Sequence, residues 1–273
     1  MFPGSRAATR VAGAALLATA ALCAPSALAG PPPAAEAGAS VVAVAAASDV
    51  QPAFEDLAKA FTAERPDIVL RPTFGASGTF YAQIENRAPF DVFLSADSDY
   101  PRRLREKGLV LDSEFQYAQG RLGLWLSRSL GLTAEAEGLA VLRDARIRHV
   151  AIANPQHAPY GRAAEAALRS AGLYDAVKEK LVLGENVAQA AHFARSGAAD
   201  AALVSLSLAG SPAMREEGQS SEVPPGTYPA LDQAGVLLSW AQDADAARAF
   251  RDFLRGPKGR EILSRHGLSP PGA

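Results

Sequence analysis

From Val41 onward, short apolar runs alternate with segments whose apolar residues recur every three or four positions. That is the pattern of strands alternating with helices in an α/β protein with mostly parallel strands. Residues 41–47 predict a strand of small apolar side chains. A helix follows, with Phe54, Leu57, Ala58 and Phe61 on one face and Pro52 tolerated in its first turn. Residues 68–73 predict the next strand, the run from Phe74 to Gly78 breaks it, and 79–86 predict a helix. A strand over 91–95 leads into a helix that stops at Gly108. A strand over 120–127 opens a second unit, which continues with strands over 149–153, 181–183 and 201–206 and helices over 162–171 and 188–196. The Gly-, Pro-, Ser- and Glu-rich stretch 211–229 reads as a loop. A strand over 233–240 and helices over 244–255 and 259–265 close the chain.

The N-terminus changes the picture of where the protein works. Arg6 and Arg10 precede an uncharged Ala/Leu-rich run, and Ala27-Leu28-Ala29 supplies the small residues of a cleavage site. Residues 1–29 therefore read as a secretory signal and 30–39, with Pro31-Pro32-Pro33, as a disordered leader, giving a periplasmic location. Leu22 before Cys23 does not suit a lipid-attachment box. Cys23 is the only cysteine, so after cleavage neither a disulfide nor a thiol nucleophile is available. The net charge of −2 comes without a basic patch, which argues against nucleic acid as a partner. His149, His157, His192 and His266 lack paired ligand spacing, so no direct metal-ion ligands are assigned. Ser48 and Ser77 lack the G-x-S-x-G elbow of a hydrolase, and no enzyme activity is expected.

Candidate chemistry lies where strands run into small-residue loops that open helices: 45–49, 74–79, 154–161 and 183–187. In open α/β sheets ligands bind beyond the carboxyl ends of strands, and helix N-termini present unpaired N–H groups to anions. The first three loops carry no Lys or Arg ahead of Arg162, so an anion would be held by hydroxyls such as those of Ser48 and Ser77 and by main-chain N–H groups. Asp49 is awkward beside a dianion. In a first helical turn it is favoured by the dipole and is expected to face solvent.

Several segments carry a resemblance: VAAAS before a helix, FGASGTFYAQI, APFDVFLSAD, NPQHAPYGRAAEAAL, GENVAQA and FLRGPKGREILSRHGL. In this order, over nearly the whole chain after the leader, they resemble the molybdate-binding family of class II periplasmic binding proteins. The resemblance implies a two-lobed α/β fold with the ligand cleft between lobes. Lobe 1 would comprise 40–119 plus 228–273 and lobe 2 would comprise 120–227, with hinges near Gln119-Gly120 and Tyr228-Pro229. It implies capture of molybdate or tungstate, without a cofactor, by a monomer that delivers the oxyanion to an ABC permease. Ser48 and Ser77 match the family's hydroxyl and N–H contacts, and Tyr160 and Val187 match its main-chain contacts. Ser205 stands where some members supply a Tyr hydroxyl; Ser207 or the Tyr160 hydroxyl are the other candidates for that fifth contact. The alternatives are another tetrahedral oxyanion, phosphate or sulfate, and a sensory role for the same site.

Overall fold

The computed structural model describes residues 39–133 and 137–272; the predicted signal and, apart from Ala39, the predicted leader lie outside the described residues. Two five-stranded sheets carry the site. The first contains β1 (Ser40–Ala47), β2 (Ile68–Gly75), β3 (Val92–Ser95), β4 (Phe115–Gly120) and β10 (Leu231–Leu237), in the order β2-β1-β3-β10-β4. The second contains β5 (Leu122–Ser127), β6 (Val150–Ala153), β7 (Leu181–Gly184), β8 (Ala201–Ser205) and β9 (Gly218–Glu222), in the order β7-β6-β8-β5-β9. β4 and β5 are separated by Arg121 alone, so one extended stretch passes from sheet to sheet, and the chain returns between β9 and β10.

From Val41 onward β1 is apolar throughout, as is β6, because both faces of these strands are covered. In β1, Val42, Val44 and Ala46 enter a core with Phe54, Leu57 and Phe61 of α1 (Gln51–Glu64) and with Phe250 and Phe253 of α9 (Ala244–Arg255). Ala45, one position out of step, points to the opposite face. There it packs with Phe80 and Ile84 of α2 (Ser77–Glu85) and Leu104 of α3 (Asp99–Glu106). A separate core fills the second sheet, packing Leu124, Ile152 and Leu203 against Ala164 and Leu168 of α4 (Pro159–Ser170), Val177 of α5 (Tyr174–Val177) and Ala190 of α6 (Val187–Arg195).

Three sequence expectations are corrected. The sheets are mixed: β1–β2, β1–β3, β6–β7 and β6–β8 are parallel, whereas β10 and β5 run antiparallel to both of their neighbours. The strand expected over 120–127 is β5, beginning at Leu122, and the strand β4 before it, which ends at Gly120, was not anticipated. The expected loop 211–229 contains α8 (Pro212–Glu217) and β9. Pro212 stands at the first helical position, and the Trp125 indole N–H donates to the Met214 carbonyl at 2.9 Å. Strand β9 runs along the sheet edge, where polar Gln219 and Ser220 need no apolar alternation.

Candidate functional site

The carboxyl ends of strands from both sheets converge on a narrow cavity. Ala47, Ser48 and Asp49 reach it from the end of β1, Gly75, Ala76 and Ser77 from the end of β2, and Ala96 from beyond β3. Ala158, Pro159 and Tyr160 come from the start of α4 after β6, and Val187 from the start of α6 after β7. Alanine and glycine dominate these turns, so a ligand can approach the backbone closely. Among the lining residues there is no Lys, Arg or His.

Ser48 and Ser77 from the first sheet and Tyr160 and Val187 from the second are thus brought together around one cavity. The Ser77 hydroxyl oxygen accepts the Ala96 N–H at 3.0 Å, which ties β2 to the end of β3 and leaves its own hydrogen to be donated. The Ser48 hydroxyl donates to Asn186 Oδ1 at 3.2 Å and accepts from the Ala188 N–H at 3.4 Å. Asn186 caps α6 by accepting the Gln189 N–H at 3.0 Å, so the cap also positions Ser48 from the opposite sheet. Val187 and Tyr160 are the first and second residues of their helices, where N–H groups have no intrahelical acceptor.

Ser205 does not line the cavity. It is fully buried, caps α7 (Leu206–Ala209) by accepting the Leu208 N–H at 3.2 Å, and lies 2.9 Å from the Ser207 hydroxyl. Ser207 in turn donates to the Asp49 carbonyl at 2.6 Å. The Tyr160 hydroxyl, the third candidate for a fifth contact, donates to Asp49 Oδ2 at 3.2 Å. All three hydroxyls are therefore engaged in bracing the wall behind the cavity.

Asp49 corrects the expectation of a solvent-facing carboxylate: it is 0% exposed. Its Oδ2 accepts from Tyr160 and from Gln233 Nε2, while Oδ1 is buried without a partner among the described residues. Burial raises its pKa to about 6 against the opposing pull of the hydrogen bonds from Gln233 and Tyr160. Burial also holds the Tyr160 and Tyr117 hydroxyls well above their usual range, reinforced by the nearby Asp49 charge. Gln233 was missed by sequence reasoning. Its signal was a polar residue at an inward position of β10, beside the partly exposed Asp232, but nothing in the spacing ties it to a partner 184 residues away.

Further bonds join the two sides around the cavity. The Gly78 N–H donates to the His157 carbonyl at 2.8 Å, and Arg162 pairs with Asp97 at 2.6 Å. Asp97 nevertheless has its pKa raised, because burial outweighs its hydrogen bonds and the attraction of Arg162.

Residues 42–269 match the family described as bacterial extracellular solute-binding protein. The molybdate-binding protein ModA of Azotobacter vinelandii is 38% identical over 86% of this chain and 92% of its own length. The molybdate-binding protein ModA of Rhodobacter capsulatus is 37% identical over 85% of this chain and 88% of its own length. The solved periplasmic molybdate-binding protein of Azotobacter vinelandii superposes with a TM-score of 0.77 at 33% identity, covering 84% of this chain and 99% of that one. The sulfate-binding protein SubI of Mycobacterium tuberculosis, at 15% identity and a TM-score of 0.68 over 85% of this chain and 87% of its own, shares the fold. Family match, identity and architecture coincide: the chain belongs to the bacterial extracellular solute-binding proteins, and among them to the molybdate-binding protein family.

Proposed function

We propose that the protein captures molybdate or tungstate outside the cytoplasm and hands it to an ABC permease, acting as a monomeric carrier rather than an enzyme. The observation that carries this reading is the cavity wall, which gathers Ser48, Ser77, Tyr160 and Val187 and has no cationic side chain. A fully deprotonated oxyanion accepts at every oxygen, and hydrogen bonds to an ionised acceptor contribute about 1.5–3 kcal/mol each. The molybdate-binding relatives support the ligand, and the secretory features of residues 1–29 support a periplasmic site of action. The anion contacts are hydroxyl and N–H donors, with no protein atom coordinating the metal. Ser205 acts behind the wall as a helix cap.

The two sheets correspond in this reading to two lobes, 40–119 with 228–273 and 120–227, hinged at the β4–β5 and β9–β10 crossings. Each lobe supplies part of the donor set, so the anion selects the closed arrangement. Calorimetric titration tests the assignment. Molybdate and tungstate should bind and stabilise the fold, by about 2.7 kcal/mol at about 100 times the dissociation constant. Ser48→Ala and Ser77→Ala should each weaken binding by about 1–3 kcal/mol, whereas Ser205→Ala should lower thermal stability with little change in affinity. Unpartnered Asp49 Oδ1 favours one rival, hydrogen phosphate, whose proton it could accept. Tight phosphate binding lost in Asp49→Asn, without any response to molybdate, would replace the assignment.

A further inference from the structure

Two buried atoms without a partner among the described residues, Asp49 Oδ1 and Gln233 Oε1, belong to side chains already joined through Gln233 Nε2 and Asp49 Oδ2. Both orphans are acceptors, so neither can satisfy the other; what the pair lacks is a hydrogen. A carboxylic acid and a primary amide form a cyclic pair, with the amide N–H donated to one acid oxygen and the acid O–H donated to the amide oxygen. One proton on Asp49 therefore lets both orphans pair. Its position gives that proton a use. Asp49 follows Ser48 directly and lines the same cavity, and Tyr160, also in the wall, holds Oδ2 through its hydroxyl.

The neighbours leave Asp49 as the group that must respond when a dianion arrives. Tyr160 on α4 and Tyr117 on β4 are held neutral by burial. Gln233 on β10 is uncharged, and so is Ser207 on α7, which donates to the Asp49 carbonyl. The nearby charges, Asp97 and Arg162, neutralise each other. We propose that the oxyanion is bound together with one proton, taken from solvent onto Asp49, which makes Asp49 the residue that links oxyanion affinity to pH. The balance is simple: dianion and proton enter, the Asp49 carboxylate becomes an acid, and the Asp49–Gln233–Tyr160 group becomes uncharged. Burial has already brought Asp49 to about 6 without ligand, and a dianion raises it further. Affinity must then fall with rising pH between the ligand-free and ligand-bound values.

The inference rests on the oxyanion reading, and one experiment separates their failures. The whole protein is titrated calorimetrically with sodium molybdate between about pH 6.5 and about pH 8.5, in pairs of buffers with different ionisation enthalpies. The dissociation constant should weaken by up to about tenfold per pH unit, with uptake approaching one proton per anion at the alkaline end. Asp49→Asn, whose amide can donate permanently to Gln233, should bind with a flat pH profile and more tightly than wild type at the alkaline end. A flat wild-type profile without proton uptake overturns the inference while leaving the oxyanion reading intact. An equal pH slope in Asp49→Asn also overturns it, by assigning the proton to another group. If the variant does not fold, the wild-type profile decides alone, and no molybdate binding at any pH removes both readings.

Discussion

Gly78→Ala should weaken molybdate binding by about 5- to 150-fold, corresponding to about 1–3 kcal/mol of overpacking, without lowering the melting temperature of the ligand-free protein. Gly78 is the second residue of α2, where alanine fits the backbone and is the better helix former by roughly 1 kcal/mol. Its surroundings come from across the cavity as well as from its own side. A methyl group there would lie 2.7 Å from the His157 carbonyl oxygen, 2.9 Å from the His157 Cα and 2.5 Å from the Tyr100 hydroxyl. Tyr100 can turn aside; the His157 backbone, anchored by its carbonyl's bond from the Gly78 N–H at 2.8 Å, cannot. In the two-lobed reading, the added methyl group therefore props the closed state open and leaves the separate cores around Phe54 and Ile152 untouched. Affinity equal to wild type would mean that closure at Gly78 is not needed to hold the anion. A large fall in ligand-free stability would mean that the two sides form one inseparable unit.

What could be read from the sequence follows from which residues carry their environment in their own neighbourhood. β1 was legible because a strand covered on both faces must be apolar at every position, and the run from Val41 to Ala47 is. α1 and α9 were legible because each buries one stripe, and Phe54, Leu57 and Phe61 recur at helical spacing. β9 was not, since an edge strand of Gly, Gln, Ser and Glu gains its order from backbone bonds to β5 and not from side-chain burial. Strand direction was also hidden, because pairing partners lie far apart in the chain and an apolar run looks the same in parallel and antiparallel sheets. The turns that bring Ser48, Ser77, Tyr160 and Val187 to one cavity were legible as strand-to-helix turns, whereas the choice of Tyr160 and Val187 within them came from the family resemblance. Asp49 was misplaced. Its local signal, an acidic residue in a first helical turn, is satisfied equally by solvent, and the groups that hold it inside, Tyr160 and Gln233, are 111 and 184 residues away.

Asp49→Asn should stabilise the ligand-free protein by about 3 kcal/mol at pH 8 and by much less near pH 4. The folded protein holds the Asp49 carboxyl at about 6, against 3.8 for the ordinary group. The folded state therefore binds this proton more tightly than the unfolded chain. Below 3.8 both states are protonated and the stability associated with the neutral acid is fully present. As the pH rises from 3.8 towards 6, the unfolded chain ionises and the folded protein resists, so stability falls. Above about 6 the loss is complete, and the difference of roughly two pKa units corresponds to about 3 kcal/mol. Asparagine keeps the size and the acceptor for Tyr160 and Gln233, adds a donor for the Gln233 amide oxygen, and carries no charge to bury. Removing the charge should therefore restore what wild type loses. Asp56, Asp112 and Asp144 are held below their usual range by His266, Arg248 and Arg146 respectively, so they act in the opposite sense and at lower pH. Denaturant unfolding of both proteins across this range checks the expectation: the gap between them should open between pH 4 and pH 7 and then level off. A gap that is constant with pH would show that Asp49 keeps the same ionisation in the folded and unfolded chains, which its burial and the unpartnered oxygen at Oδ1 argue against.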